Sequence, residues 1–287
     1  MKLTLKTPPK SSPPAKPKVR KLRPKRSYKA AFQSLRQVLK ISHLEEKDAI
    51  LQIGAVQKKI LSGNILRVGV WNICKGSGQH PLRHELQMLM SECDLLLLQE
   101  ALLTVDTLSY VENSAFTCIH AASYMRRDGI RDGVMTVSRI DPSTPSQRVL
   151  CKKPEPLLKT SKVALVTSFD IGQGPPVVVV NLHARLIRSR KGALNETRHL
   201  IERLPESKGP MILAGDFNTF TSGYLRDVQK ELDRIGLERV EFENDPRGVV
   251  GALDQFFVRG LDVKKSRIET TMRNSDHFPL VVELGVK

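Results

Sequence analysis

No apolar run in this sequence approaches the ~20 residues that a membrane-spanning helix needs. The longest, around residues 95–98 and 177–180, suit buried strands. The basic N-terminus has no apolar stretch behind it, which speaks against a secretory signal. A cytoplasmic protein is therefore expected. The four cysteines, Cys74, Cys93, Cys118 and Cys151, contain no CxxC pair and lie far apart, as reduced structural thiols do. No Cys/His cluster has zinc spacing and no GxxxxGK[ST] loop occurs, so zinc and nucleoside-triphosphate chemistry lack their usual signatures. No internal repeat is visible, and residues 1–29 contain no acid at all.

That last absence places the charge. The chain carries a formal +16, of which residues 1–29 hold +11, residues 30–65 hold +2 and everything after them only +3. Six prolines are interspersed with the lysines of residues 1–27. Proline removes backbone donors, and so polar a segment cannot bury enough apolar area to fold. A largely disordered basic tail is expected there, suited to polyanions: nucleic acid or an anionic membrane surface. Residues 28–65 read as a short helical linker. Phe32, Leu35 and Leu39, then Ile50 and Ile53, recur at helical spacing, and Ser42 with Glu45 resembles a capping box.

From residue 66 to 287 strands and helices alternate in a single expected domain. Strands are predicted at 66–71, 94–99, 133–137, 163–167, 177–181, 211–214, 254–258 and 280–284, and helices at 82–90, 193–204 and near 222–235. Apolar content is 40%, ordinary for a globular chain. Strands outnumber helices, so an α/β protein with two packed sheets flanked by helices fits better than one doubly wound sheet.

One pattern recurs along these strands. Each apolar stretch runs into a polar residue that a buried strand does not need: Asn72, Gln99-Glu100, Asn181-Leu182-His183, Gly215-Asp216-Phe217-Asn218, Asp254, and Ser275-Asp276-His277 ahead of the last strand. Singly, each reads as well as a turn residue or a half-buried histidine. Together, and each beside a strand, they describe a site held rigidly by sheet ends. The residue types suit phosphodiester hydrolysis, which needs a cation, an activated water and donors for the phosphoryl oxygens. Mg²⁺ takes oxygen ligands, commonly one or two carboxylates and waters, which makes Glu100 the leading ligand with Asn72 beside it. Asp216 can hold or deprotonate the water. Asn218 and His183 can donate to phosphoryl oxygens, and His277 can bind the phosphate or exchange a proton with Asp254 fixing its tautomer. Gly215 would permit a tight turn.

In this order the segments VWNICK, LLLLQEA, DGVMTVS, ALVT, VVVNLHA, GPMILAGDFN and SDHFPLVVEL resemble the endonuclease/exonuclease/phosphatase (DNase I-like) superfamily, most closely its bacterial YafD-like branch. The resemblance covers about residues 66–285. It implies a four-layer α/β/β/α sandwich with the site at one end of two sheets. It also implies Glu100 and Asn72 at an Mg²⁺ ion (Mn²⁺ as substitute) with Asp276 near it. Asp216 and Asn218 would then lie at the water and phosphate, with His183 and His277 on the phosphate and Asp254 behind His277. Abasic-site endonucleases of the superfamily carry a carboxylate two residues after the first Asn, where this chain has Cys74, and Tyr124 is the nearest match to their aromatic phosphate contact. The first expectation is an Mg²⁺-dependent nuclease acting on DNA or RNA. A phosphatase or phosphodiesterase for a lipid headgroup or small phosphoester is the second. A non-catalytic nucleic-acid-binding protein is a third, of another class.

Overall fold

The computed structural model describes residues 41–54, 56, 64–76, 82–105, 107, 115–155, 159–187, 189–248 and 252–286. The expected basic tail, and Phe32, Leu35 and Leu39, lie outside them.

Among the described residues, thirteen strands form two sheets. Their ranges are β1 Ile50–Ile53, β2 Ile65–Asn72, β3 Leu95–Leu103, β4 Thr117–Met125, β5 Arg131–Ser138, β6 Gln147–Leu150, β7 Val163–Phe169, β8 Val177–His183, β9 Met211–Asp216, β10 Glu238–Arg239, β11 Asp254–Arg259, β12 Asp262–Ile268 and β13 Leu280–Gly285. The seven-stranded sheet runs β1-β4-β5-β3-β2-β13-β12 and the six-stranded sheet β10-β11-β9-β8-β7-β6. Four described helices accompany them: α1 Glu46–Ala49, α2 Leu82–Glu92, α3 Arg190–Ile201 and α4 Ser222–Asp233.

Three apolar cores divide four layers. The middle core lies between the sheets and is built from Val68, Val70, Leu95 and Leu97 on one side and Val177, Val179, Ile212 and Phe256 on the other. An outer core joins the large sheet to α2 through Trp71, Leu96, Leu98, Leu86 and Leu89. The other joins the small sheet to α3 and α4 through Val178, Val180, Leu213, Leu200, Val228 and Leu232. This is the expected α/β/β/α sandwich. Strand alternation explains it: successive side chains point to opposite faces, and with both faces covered the strands read as continuous apolar runs.

Each sheet has one parallel pair at its centre, β2 with β3 and β8 with β9, flanked by antiparallel neighbours. A helix links the members of each pair: α2 between β2 and β3, α3 between β8 and β9. Their inward-facing positions continue from apolar to polar as each strand ends: Val68, Val70, Asn72; Leu95, Leu97, Gln99; Val177, Val179, Asn181, His183; Ile212, Ala214, Asp216. The candidate site is thus the polar end of the inter-sheet core.

Four expectations change. Ile50 and Ile53 belong to no helix: β1 pairs antiparallel with β4 at the edge of the large sheet, so the expected linker supplies a strand. The Ser42–Glu45 capping box does not form. Glu45 is the N-cap of the one-turn α1 without a side-chain cap, while Ser42 and Met125 exchange backbone hydrogen bonds of 2.9 Å. Gly215 makes no turn; it lies inside β9, where an added Cβ would sit 1.9 Å from the Leu182 carbonyl oxygen. Helix α3 starts three residues early because Ser189 caps it, its hydroxyl accepting from Gly192 N at 3.2 Å.

Candidate active site

The ends of the parallel strands open into a cleft of about 340 Å³. Six of the expected residues, Asn72, Glu100, His183, Asp216, Asn218 and His277, line it. Asp254 is buried behind His277, its Oδ2 2.7 Å from His277 Nδ1. Asp276 is exposed and does not line the cleft; its Oδ1 accepts from the Ser275 hydroxyl at 3.4 Å. The reason is local. Ser275 Oγ donates to the Asn72 carbonyl at 2.6 Å and Trp71 Nε1 donates to the His277 carbonyl at 2.9 Å, which pins His277 inward and leaves Asp276 outward.

Backbone strain gathers at this end. Four of the six non-glycine residues with positive φ among the described residues are here: Cys74 (46°), Lys75 (59°), Glu100 (50°) and Asn218 (50°). Such conformations persist where the surroundings over-determine them, often at functional sites. Glu100 sits at the bulge where the β3–β5 register shifts between Leu98 and Ala101, which turns its carboxylate into the cleft instead of into the sheet. Gly133 of β5 opposes this bulge and the one in β4, and a Cβ on it would meet the Ala121 carbonyl oxygen at 2.0 Å.

Asp216 is held from several sides. Its Oδ1 accepts from Asn218 N at 2.9 Å; its Oδ2 accepts from Asn72 Nδ2 at 3.0 Å and Asn218 Nδ2 at 3.3 Å. Burial, and then the charge of Asp254 paired across β9 and β11, push its pKa up to about 6 against the opposing pull of His277 and these donors. His277 goes the other way from most buried histidines. Burial lowers it, but the Asp254 hydrogen bond and charge, with Asp216 and Asp276, outweigh burial and raise it to about 9. Burial holds His183 well below its ordinary range, reinforced by the positive charges of Lys162, His277 and Lys75. Its Nε2 lies 3.8 Å from Glu100 and 3.6 Å from Asp216, yet a neutral imidazole makes no ion pair with either. Lys162 Nζ donates to that Nε2 at 2.9 Å, so the ammonium, not the imidazole, is the donor that faces the cleft in this arrangement.

Two lysines outside the expected set stand here. Lys75 lies 3.9 Å from Glu100 Oε2 and 3.7 Å from Asp132 Oδ2, and Lys162 lies 3.9 Å from Glu100 Oε1. Tyr124, which the sequence offered as the nearest match to an aromatic phosphate contact, does line the cleft; it donates to Asp132 at 2.6 Å, and burial beside that carboxylate raises its pKa strongly. Lys75 follows the first Asn motif and Lys162 immediately precedes β7; both positions were visible, but lone lysines carry no pattern. Conversely, Gln99 and Asn181 do not line the cleft. Gln99 Nε2 donates to Asn181 Oδ1 at 2.7 Å and Asn181 Nδ2 to the carbonyls of Leu98 and Met135 at 3.2 and 3.0 Å, a buried tie between the sheets.

The donor set suits a hard cation. Glu100 offers a half-buried carboxylate, and Asn72 Oδ1, which accepts from Cys74 N at 3.0 Å, an amide oxygen beside it. Among the described residues no group of three or more His, Cys, Asp or Glu stands at metal-ligand spacing. One or two carboxylates with water and substrate oxygens is the usual Mg²⁺ arrangement, whereas a structural zinc site needs the larger cluster.

The sequence profile of the Endonuclease/Exonuclease/phosphatase family matches residues 69–277. A UPF0294 protein of Yersinia pseudotuberculosis is 32% identical over 278 residues, covering 91% of this chain and 98% of its own. Such proteins form the YafD-like group. Among solved structures, an endonuclease/exonuclease/phosphatase from Beutenbergia cavernae superimposes with a TM-score of 0.64 at 17% identity, covering 78% of this chain and 72% of that one. ANGEL2, described as a 2',3'-cyclic phosphatase, gives 0.58 at 15% identity over 77% and 95%. These two likenesses concern the fold.

Proposed function

The chain belongs to the endonuclease/exonuclease/phosphatase family, and from that premise we propose that it is a Mg²⁺-dependent hydrolase of phosphodiester bonds, acting on DNA or RNA. The observation that carries the reading is geometric: Asp216, held by Asn72 and Asn218, and His277, held by Asp254, face one cleft with Glu100, and their surroundings raise Asp216 to about 6 and His277 to about 9. Near neutral pH this leaves a carboxylate able to take a proton and an imidazolium able to donate one, the division of labour that acid–base hydrolysis requires.

Glu100 and Asn72 would hold the ion, which when bound neutralises charge developing on the phosphoryl oxygens. Asp216 orients the water and accepts its proton as the new P–O bond forms and the ester P–O bond breaks, the departing oxygen taking up the proton that the His277 imidazolium can donate. Asp254 fixes Nδ1 of His277 as a donor and leaves Nε2–H for a phosphoryl oxygen. Lys162, steadied by His183, supplies a further donor. Asp276, exposed on the loop, is proposed to act on the ion only through water. The completeness of this set argues against a purely binding role.

Nucleic acid is favoured as substrate by the +11 carried on residues 1–29. A small phosphoester or lipid headgroup is the second reading, supported by a cleft of about 340 Å³ that such a molecule would fill. A panel of single- and double-stranded DNA, RNA, abasic DNA, inositol phosphates and sphingomyelin with Mg²⁺ separates the two. Chelation should abolish hydrolysis, and Mg²⁺ or Mn²⁺ should restore it. Glu100→Gln should raise the metal concentration needed for half-maximal rate by at least about tenfold, one lost charge contact of about 1.4 kcal/mol or more. Full activity in excess chelator would discard the metal-dependent reading.

A further inference from the structure

Glu100, the one carboxylate proposed to anchor the metal, is already flanked by cations. Lys75 Nζ stands 3.9 Å from one of its oxygens and Lys162 Nζ 3.9 Å from the other. Neither lysine arrives there casually. Lys75 is delivered by a turn in which Cys74, Lys75 and Gly76 all have positive φ (46°, 59° and 67°), fastened by Cys74 N to Asn72 Oδ1 at 3.0 Å and Gly76 N to the Ile73 carbonyl at 2.8 Å. A lysine serving only solubility needs no left-handed backbone, a conformation that costs energy for any side chain with a Cβ. Lys162 is fixed by its hydrogen bond to the neutral, buried His183.

The local charges then decide what the site accepts. Lys75 and Lys162 balance Glu100 and Asp132, the latter 3.7 Å from Lys75. A divalent cation added alone at Glu100 would face two ammonium groups across a few ångströms. A phosphate entering with it gives those ammonium groups new partners and supplies oxygens the protein lacks, since no larger ligand cluster exists among the described residues.

We propose that Lys75 and Lys162 form a phosphate-binding pair that makes divalent-metal binding at Glu100 conditional on a bound phosphate group. The lysines hold the metal position closed in the free protein and release it when phosphate draws them off. Thermodynamic linkage makes the effect reciprocal: metal tightens phosphate by the factor by which phosphate tightens metal. This rests on the metal-dependent reading above and adds the order in which the site fills.

The test is Mn²⁺ binding to the full chain, read by the paramagnetic resonance signal of free Mn²⁺, with and without inorganic phosphate. In the wild type, phosphate should tighten Mn²⁺ binding. Lys75→Gln and Lys162→Gln should each tighten Mn²⁺ binding without phosphate by at least about fivefold, the effect of one unit charge at 4 Å even in the full dielectric of water. In both, phosphate should help less, whereas Lys75→Arg should behave as wild type. The amide introduced by Lys162→Gln can still donate to His183, so that variant carries the test should Lys75→Gln fail to fold. Unchanged or weaker Mn²⁺ binding in both variants, with binding lost in Glu100→Gln, would overturn the conditional pair while leaving the metal site standing. No Mn²⁺ binding in any form, phosphate present, would overturn both.

Discussion

At the scale of the residue, the polar side chains divide into those that do chemistry and those that hold it. The sequence showed both kinds as polar breaks at strand ends. Gln99 and Asn181, which tie the sheets, share those breaks with Glu100 and His183, which face the cleft: a one-residue bulge turns Glu100 inward, and His183 lies two residues further along β8 than Asn181. The pair His277–Asp254 was legible as a role and is present at 2.7 Å. Its chemistry sets the expected pH dependence. Activity, as kcat/KM against pH, should rise with a midpoint near 6 as Asp216 ionises and fall with one near 9 as His277 loses its proton. Asp254→Asn should pull the alkaline limb down toward 6.5, and an unmoved limb would separate His277 from it. Stability has the same sign: with its folded pKa raised above 6.5, His277 contributes fully below 6.5 and that contribution is lost as pH climbs through about 9. If Asp254 works only by orienting His277, the double substitution to Ala should cost activity little more than His277→Ala alone. Additive losses would show two independent roles.

At the scale of the element, the strands with long apolar runs were found, and those without them were not. Strand β4 contains His120, Ala121, Ala122 and Ser123, too mixed for a period-two reading. It is buried because it lies between β1 and β5. Strand β12, with Lys264 and Lys265, is a polar edge strand, the charged kind that discourages pairing with other chains. Strand β1 misled because Ile50 and Ile53 are three apart, a spacing shared by helices and by strands half-exposed on both faces. Its place in the sheet changes what a truncation should do. Besides its ladder on β4, this segment accepts Arg131 Nη1 at the Asp48 carbonyl (2.6 Å) and pairs Glu46 with the buried Arg148 (2.6 Å). A chain beginning at Ile41 should melt like the full one. One beginning at Ser62 should lose on the order of 2–4 kcal/mol, a few backbone hydrogen bonds at about 1 kcal/mol each plus an unpaired arginine. Equal melting temperatures for the two would show that β1 adds nothing to the fold.

At the scale of the molecule, the layering was legible because both faces of each central strand are covered, and the site's position because those strands end polar on their inward face. What surrounds the site was not legible: Lys75 and Lys162 reach Glu100 from a strained turn and from the residue before β7, places no periodicity marks. The charge asymmetry belongs to this scale too. Residues 41–286 hold the whole candidate site, while residues 1–29 carry +11 of the formal +16. A segment so charged binds polyphosphates by displacing condensed counterions, without reading sequence, and each phosphate it neutralises on duplex DNA adds roughly −0.9 to the log–log slope of affinity against salt. Removing residues 1–29 should therefore weaken nucleic-acid binding most at low salt and flatten that slope. The rate at saturating substrate should not change, because every residue assigned to chemistry lies at Asn72 or beyond. Filter binding or fluorescence anisotropy between roughly 50 and 200 mM salt spans the range over which several phosphate contacts become measurable. An identical slope with and without the segment would remove nucleic acid as its partner. Binding to anionic vesicles but not to DNA, lost with the same deletion, would move the substrate assignment to a lipid phosphoester.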